Sequence, residues 1–169
     1  MFALPAMAMA ETGDPSTSNA QLARKVRHEL LMLPYYGVFD NLEFKINGST
    51  VTLYGQVVRP TTSSDAAARV RRIAGVSQVI NRIEVLPLSP FDDSIRRQAY
   101  GAIFGRAGLG RYAMGTNPSI HIVVNRGHIT LEGMVANNAD RTRAYIAARG
   151  VPGAFSVTNH LRLESEIPS

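Results

Sequence analysis

Apolar residues fall along this chain in two rhythms, one helical and one extended. Leu22, Val26, Leu30 and Leu33 recur at the three- or four-residue spacing of a single helix face. Ser18 and Gln21 have the spacing of a capping box at the start of that helix. Leu42, Phe44 and Ile46 then alternate with Glu43 and Lys45, the period of a half-buried strand. Asn47-Gly48 is a strong hairpin signal. With those two residues as the loop, Phe44 is predicted opposite Val51 and Leu42 opposite Leu53, so the apolar side chains share one face. Ala66, Val70 and Ile73 predict the inward side of a second helix, with Thr61 or Thr62 as its cap and Gly75 at its end. A last strand is predicted from about Val79 to Val85. Asn81 falls on its inward parity, where a hydrogen-bonded bridge to backbone is the simplest role.

The whole pattern then returns. Val51-Thr52-Leu53-Tyr54-Gly55-Gln56-Val57 is matched by Ile129-Thr130-Leu131-Glu132-Gly133-Met134-Val135, at a constant offset of 78 residues. At the same offset Gly75 falls on Gly153, Asn81 on Asn159 and Val85 on Leu163. Leu22, Val26 and Leu30 match Ile95, Ala99 and Ile103 at an offset of 73, so the second copy has five extra residues between its first helix and first strand. Ser89 is its predicted cap, with Pro90 at the first helical position. Two copies of an αββαβ unit therefore span 19–87 and 89–164, and the predicted class is α+β. Each copy is expected to be a mixed three-stranded sheet with two helices on one face. At about 70 residues each unit is near the lower limit for a self-sufficient core. Pro87, Ser89 and Pro90 form a short junction, so the units should lie close together. The open sheet face of the first copy carries Glu43, Lys45, Thr52, Tyr54, Arg82 and Glu84, and is expected to be solvated or shared between units.

Composition narrows the function. The 169 residues are 45% hydrophobic, enough for packed cores, and the formal net charge of +5 favours an anionic partner surface. The absence of cysteine excludes disulfides, thiolate metal ligands, a cysteine nucleophile and lipid attachment through cysteine. No run approaches the roughly 18 apolar residues of a membrane-spanning helix. Met1 to Ala10 is apolar, and Ala8-Met9-Ala10 has the form of a signal-peptidase site. Residues 1–10 are expected to be the tail of a signal peptide that starts upstream, with maturation at Glu11. The alternative is a disordered apolar N-terminus, because the basic n-region is missing.

The most distinctive segment lies in the second copy. From Ser94 to Leu131 there is no acidic residue, while Arg96, Arg97, Arg106, Arg111 and Arg126 are present. Phe104, Leu109, Tyr112 and Met114 are interleaved with them. Arg96, Arg97, Phe104, Arg106, Leu109, Arg111 and Tyr112 are the predicted lipid-binding residues, the arginines meeting phosphates and the apolar side chains entering a headgroup layer. The competing reading is that Ile95, Ala99 and Ile103 pack the core and the larger apolar residues fill the gap between units. Gly101 and Gly105 have the spacing of a close helix contact, a weak signal outside a membrane span. Gly105, Gly108 and Gly110 do not follow a strand, which argues against a dinucleotide loop. In the predicted register His121 lies opposite Thr130 and His128 opposite Val123, both on the outer sheet face. Glu132 or His160 could complete a metal set there, but ordinary exposed residues are the simpler reading. Asp92-Asp93 suits a helix start. No serine sits in a nucleophile elbow, so no catalytic residue, metal or cofactor is expected. Nucleic acid is not an expected partner, because the sheet lacks stacking aromatics.

The αββαβ unit, with Val51 to Val57 after a hairpin and Gly75-Val76-Ser77-Gln78-Val79-Ile80-Asn81-Arg82-Ile83-Glu84-Val85 at its end, resembles the BON domain. The second copy keeps Ile129 to Val135 but has Ala154 where the pattern has valine. The resemblance implies exported bacterial proteins tied to envelope integrity and osmotic stress, with phospholipid as the proposed ligand. It also implies lipid contact through the first helix of the second domain, as in an outer-membrane lipoprotein relative. Lacking a lipidated cysteine, this chain should make only reversible membrane contact. The expected function is thus a non-catalytic periplasmic module that associates with anionic phospholipid through its second unit. A protein-interaction or holdase-like envelope scaffold is the alternative. Composition and pattern do not address the oligomeric state.

Overall fold

The computed structural model describes residues 15–166, so the expected signal-peptide tail at 1–10 lies outside the described residues. The first unit is built from α1 (Pro15–Leu31), β1 (Asn41–Asn47), β2 (Thr50–Val57), α2 (Pro60–Arg71), β3 (Gln78–Asn81) and β4 (Glu84–Val85). The second repeats it with α3 (Pro90–Tyr100), β5 (Ile120–Asn125), β6 (His128–Val135), α4 (Asn138–Arg149), β7 (Ser156–Asn159) and β8 (Arg162–Leu163). In each sheet the central strand pairs antiparallel with its hairpin partner and parallel with a third strand. That third strand is broken in two pieces, β3 and β4 on β2, and β7 and β8 on β6. The architecture is α+β, two tandem units, each a mixed sheet with two helices.

The helical stripe behaves as predicted, with Leu22, Val26, Leu30 and Leu33 all buried in the first core beside Val51, Leu53, Ala66 and Val70. Helix starts differ from the reading of the sequence in two places. α1 begins at Pro15, which leaves Ser18 inside the helix rather than capping it. α2 begins at Pro60, with Arg59 as N-cap and no side-chain cap bond, so neither Thr61 nor Thr62 caps it. In α2, proline at the first helical position sets the start, because its φ is already helical and no amide proton is lost. α3 is capped as predicted, with Ser89 Oγ accepting from the Asp92 amide at 3.1 Å and Pro90 following.

The hairpin loops are Gly48–Ser49 and Arg126–Gly127, one residue later than predicted. Asn47 stays in the ladder opposite Thr50, Phe44 pairs with Leu53 and Leu42 with Gly55. Correspondingly His121 faces Glu132, and His128 faces Asn125. The cause is backbone chirality: Gly48 takes φ +60 at the first loop position, where an asparagine was expected. The pairing shifts by two residues, so every side chain keeps its face. Arg126 takes φ 51 without being glycine. Asp92 holds it there, accepting from the Arg126 amide at 2.9 Å and the Gly127 amide at 2.8 Å.

Asn81 is exposed at the sheet edge rather than facing the core. It is nevertheless a bridge: its Nδ2 donates to Ser63 O and Oγ at 3.2 and 3.0 Å, and its Oδ1 accepts from the Ile83 amide. Asn159 does the same with Arg141 O and the Leu161 amide. These bridges span the break in the third strand and tie it to the start of the helix.

The units meet through the turn between α1 and β1. The Ile122 amide donates to Val38 O at 2.7 Å, and His121 Nδ1 donates to Gly37 O at 3.1 Å. The His121 ring stacks on Tyr36 with centroids 5.2 Å apart, and Val38 and Phe39 pack on the second core. Asn125 Nδ2 reaches Glu84 at 3.2 Å across the same seam. β5, which lies at the edge of its sheet, is therefore covered, and Ile120 to Val124 are all buried. His121, expected on an open outer face, is a buried seam residue.

Candidate anion-binding groove

The predicted lipid-binding segment divides into residues that build the fold and residues that remain at its surface. Arg96 is buried in α3, its Nη1 on Asp93 at 2.6 Å and its Nη2 on Val124 O at 2.8 Å. It fastens the helix to β5 and is not available to a ligand. Phe104, Leu109 and Tyr112 are core residues, Leu109 only 1% exposed. The expectation that they enter a headgroup layer is corrected by their packing. The five-residue insertion folds back over the second core instead of projecting from it. Of the interleaved Phe104, Leu109, Tyr112 and Met114, Met114 alone stays exposed, and Tyr100 at the end of α3 is 43% exposed.

Tyr112 explains the fold-back. Its hydroxyl donates to Asp140 Oδ2 at 2.7 Å and accepts from the Ala136 amide at 3.0 Å, next to the Asn137 cap of α4. Arg111, although exposed, donates to the same Asp140 oxygen and to the Tyr112 hydroxyl, with its guanidinium 4.7 Å from the Tyr112 ring centroid. The Tyr112 hydroxyl and then the Arg111 guanidinium hold the Asp140 carboxyl below its ordinary range. The same pairing raises the pKa of Arg111, Tyr112 being the larger cause. Arg111 is thus committed to a structural ion pair.

Arg97 and Arg106 remain. On an ideal α-helix their nine-residue separation, about two and a half turns, would put them on opposite faces. The helix does not continue as α: Gly101–Arg106 is a π-helical turn, closed by the Ala107 amide on Ala102 O at 2.9 Å. Its wider winding brings Arg106 round to the side of Arg97, and segments of this kind recur at functional sites. Gly101 and Gly105 meet nothing within 4 Å of where a Cβ would stand, so the pair is not a close helix contact. Gly101 lines a groove of about 750 Å³ together with Arg97, Arg106, Ala102 and, from α4, Arg143 and Ile146. Among the described residues no carboxylate lines it. Ile146 is 64% exposed beside the three arginines, so the groove presents cations and an apolar rim together. Asp140 Oδ1 lies 3.6 Å from Arg143, outside the lining.

Arg143 and Ile146 were not among the predicted residues, because they lie on the other helix, some 40 positions downstream. The signal for Ile146 was present: it falls off the Ala144–Ala148 core spacing and so points outward. The histidines do not converge. His160 pairs with Glu132 at 2.7 Å and His128 with Ser156 Oγ at 2.7 Å, and among the described residues no three His, Asp or Glu side chains gather at one point.

A duplicated αββαβ unit with this mixed sheet defines a class of small α+β modules. The BON domain family model matches residues 18–87 and 106–165, and the chain belongs to that family. BON domains are generally non-catalytic and occur in periplasmic and envelope proteins. No curated protein matches the chain. Among solved structures it is similar to CdsD, a structural protein of the type III secretion system of Chlamydia trachomatis, at 14% identity over 88% of this chain and 93% of that one, with a TM-score of 0.34. The C-terminal domain of CdsD is similar at 16% identity over 87% and 98%, with a TM-score of 0.31.

Proposed function

We propose that this protein is a reversible, non-catalytic binder of anionic phospholipid at the bacterial envelope, working in the periplasm through the α3–α4 groove. The observation that carries the reading is the gathering of Arg97, Arg106 and Arg143 in one groove that lacks a carboxylate and is rimmed by Ile146. Three cations with an adjoining apolar side chain suit a phosphate headgroup and the start of an acyl chain. Family membership supports the envelope location, and no described helix is long and apolar enough to cross a membrane. A link to osmotic stress belongs to the same reading. In co-sedimentation, vesicles containing phosphatidylglycerol should retain the protein and phosphatidylcholine vesicles should not. Arg106→Glu should weaken retention, and added salt should weaken it further. Equal retention by both vesicle types, or by neither, overturns the reading.

One observation favours the alternative of an envelope scaffold with protein partners. Phe91 and Phe155 lie 5.9 Å apart and are 47% and 70% exposed, at the hairpin end of the second sheet. A partner captured there should be lost in Phe155→Ser and kept in Arg106→Glu.

A further inference from the structure

The cleft between the helices occurs twice. In the first unit a groove of about 730 Å³ lies between α1 and α2, lined by Arg24, Lys25, His28, Arg69 and Arg72, with Glu29 its one carboxylate. At the offsets of the repeat, Arg24 corresponds to Arg97, His28 to Gly101 and Arg72 to Gly150, so the two grooves occupy the same place in the fold. Their charge is not copied residue for residue. α2 and its C-cap supply Arg69 and Arg72 where α4 and its C-cap have Ala147 and Gly150, and α4 supplies Arg143 where the first unit has Asp65. Arg106 comes from the π-helical turn and Lys25 stands in place of Gln98. The two units reach a cationic groove by different side chains. In the first, Glu29 sits 3.6 Å from Arg69. Arg24, Lys25 and Arg72 are exposed and have no salt-bridge partner among the described residues.

We infer that the first unit carries a second site for the phosphate of an anionic lipid headgroup, so that the chain attaches to membranes by two grooves. The inference rests on the reading of the α3–α4 groove as a lipid site. Its physical consequence is avidity. Two weak sites on one chain hold a surface far better than either alone, because the second contact forms at the high local concentration set by the first. If the grooves face one bilayer the chain binds in cis. If they face apart it bridges vesicles and raises turbidity.

The test uses the full chain with mixed phosphatidylglycerol–phosphatidylcholine vesicles, read by co-sedimentation and turbidity. Arg24→Glu with Arg72→Glu should weaken binding or bridging by more than about tenfold, at two charges of this worth near an anionic surface. Arg97→Glu with Arg106→Glu should do the same. Glu29→Gln removes the carboxylate that lines the first groove among the described residues and should tighten binding, a gain that misfolding would not produce. The inference is overturned if the first-unit double variant and Glu29→Gln both bind as the unaltered chain does while the second-unit variant loses binding. Failure of the unaltered chain to bind these vesicles overturns the lipid reading of the second groove, and this inference with it.

Discussion

Replacing Gly133 with alanine places a methyl group where there is no room for one. The ideal Cβ would stand 2.0 Å from Ser119 O on the neighbouring backbone, far inside the roughly 3 Å that real Cβ atoms keep. Gly133 also holds φ +112, a conformation that costs an L-residue about 1–3 kcal/mol even in open space. The carbonyl cannot simply move. The Ser119 oxygen accepts from the Met134 amide at 2.9 Å, and the Ser119 amide donates to Tyr112 O at 2.8 Å. Relieving the overlap breaks at least one of these bonds or shifts the start of β5, adding a further ~1–3 kcal/mol. The sum, about 2–6 kcal/mol, is a large share of the roughly 4–10 kcal/mol expected of a 70-residue unit. Urea unfolding followed by far-ultraviolet circular dichroism should therefore show the second unit melting well before the first. Gly55, whose Cβ would stand 2.0 Å from Asn41 O at φ +114, provides the mirror experiment in the first unit. An unchanged midpoint for Gly133→Ala would refute the steric account of this glycine.

Two further predictions test the interior. Tyr112→Phe keeps the packing but strips the hydroxyl that serves the Ala136 amide and Asp140, so the unit should lose about 1–3 kcal/mol in urea unfolding. The Asp140 carboxyl pKa should rise by NMR titration, since Tyr112 is the main cause holding it down. At the seam, burial pushes the His121 pKa below its ordinary value, so the docked state refuses a proton that the separated state accepts. Docking is full above about pH 6.5, weakens as pH falls through that value, and the loss is complete below the lowered pKa. Asp40 opposes this, because burial raises its pKa, while Tyr36, Glu43, Glu132 and Arg59 are further titratable or charged groups nearby. The distance between labels in the two units should lengthen between about pH 7.5 and about pH 5, and His121→Gln should abolish the change. A pH response retained in that variant would remove His121 from the account.

The repeat and its elements were legible because they rest on local periodicity and on a seven-residue segment that recurs without a gap, with Thr, Leu, Gly and the final Val kept. The loop position was read one residue early because Asn47-Gly48 is a strong hairpin pair, while the positive φ goes to Gly48 at the first loop position. The burial of His121 also left a trace. Ile120-His121-Ile122-Val123-Val124 is close to a continuous apolar run, the signature of a strand covered on both faces. What local pattern could not show is where the insertion goes. Leu109 and Tyr112 look like loop residues until Asp140, nearly 30 positions later, supplies the partner that folds them inward. The groove was half legible for the same reason. Arg97 and Arg106 stand out as an acid-free stretch, whereas Arg143 and Ile146 join them only through helix pairing.

The asymmetry between the units follows from where the chain spends its aromatic and charged side chains. At matched positions the first unit has Ser18, Ser49 and Ser77, and the second has Phe91, Gly127 and Phe155. In the first, the Ser49 and Ser77 hydroxyls lie 2.6 Å apart and close the hairpin end with a polar contact. In the second, the Phe155 ring lies over Gly127, where a Cβ would stand 2.6 Å from it, and stacks toward Phe91. A polar clasp has become an exposed aromatic pair, although burial alone would favour the reverse. The insertion, by contrast, buys core rather than surface. Two of the differences between the units lie where solvent and a partner can reach them, the π-turn groove and the aromatic hairpin end. Variants at the two places separate lipid from protein partners, since loss at Arg106 with binding kept at Phe155 assigns the surface to phosphate.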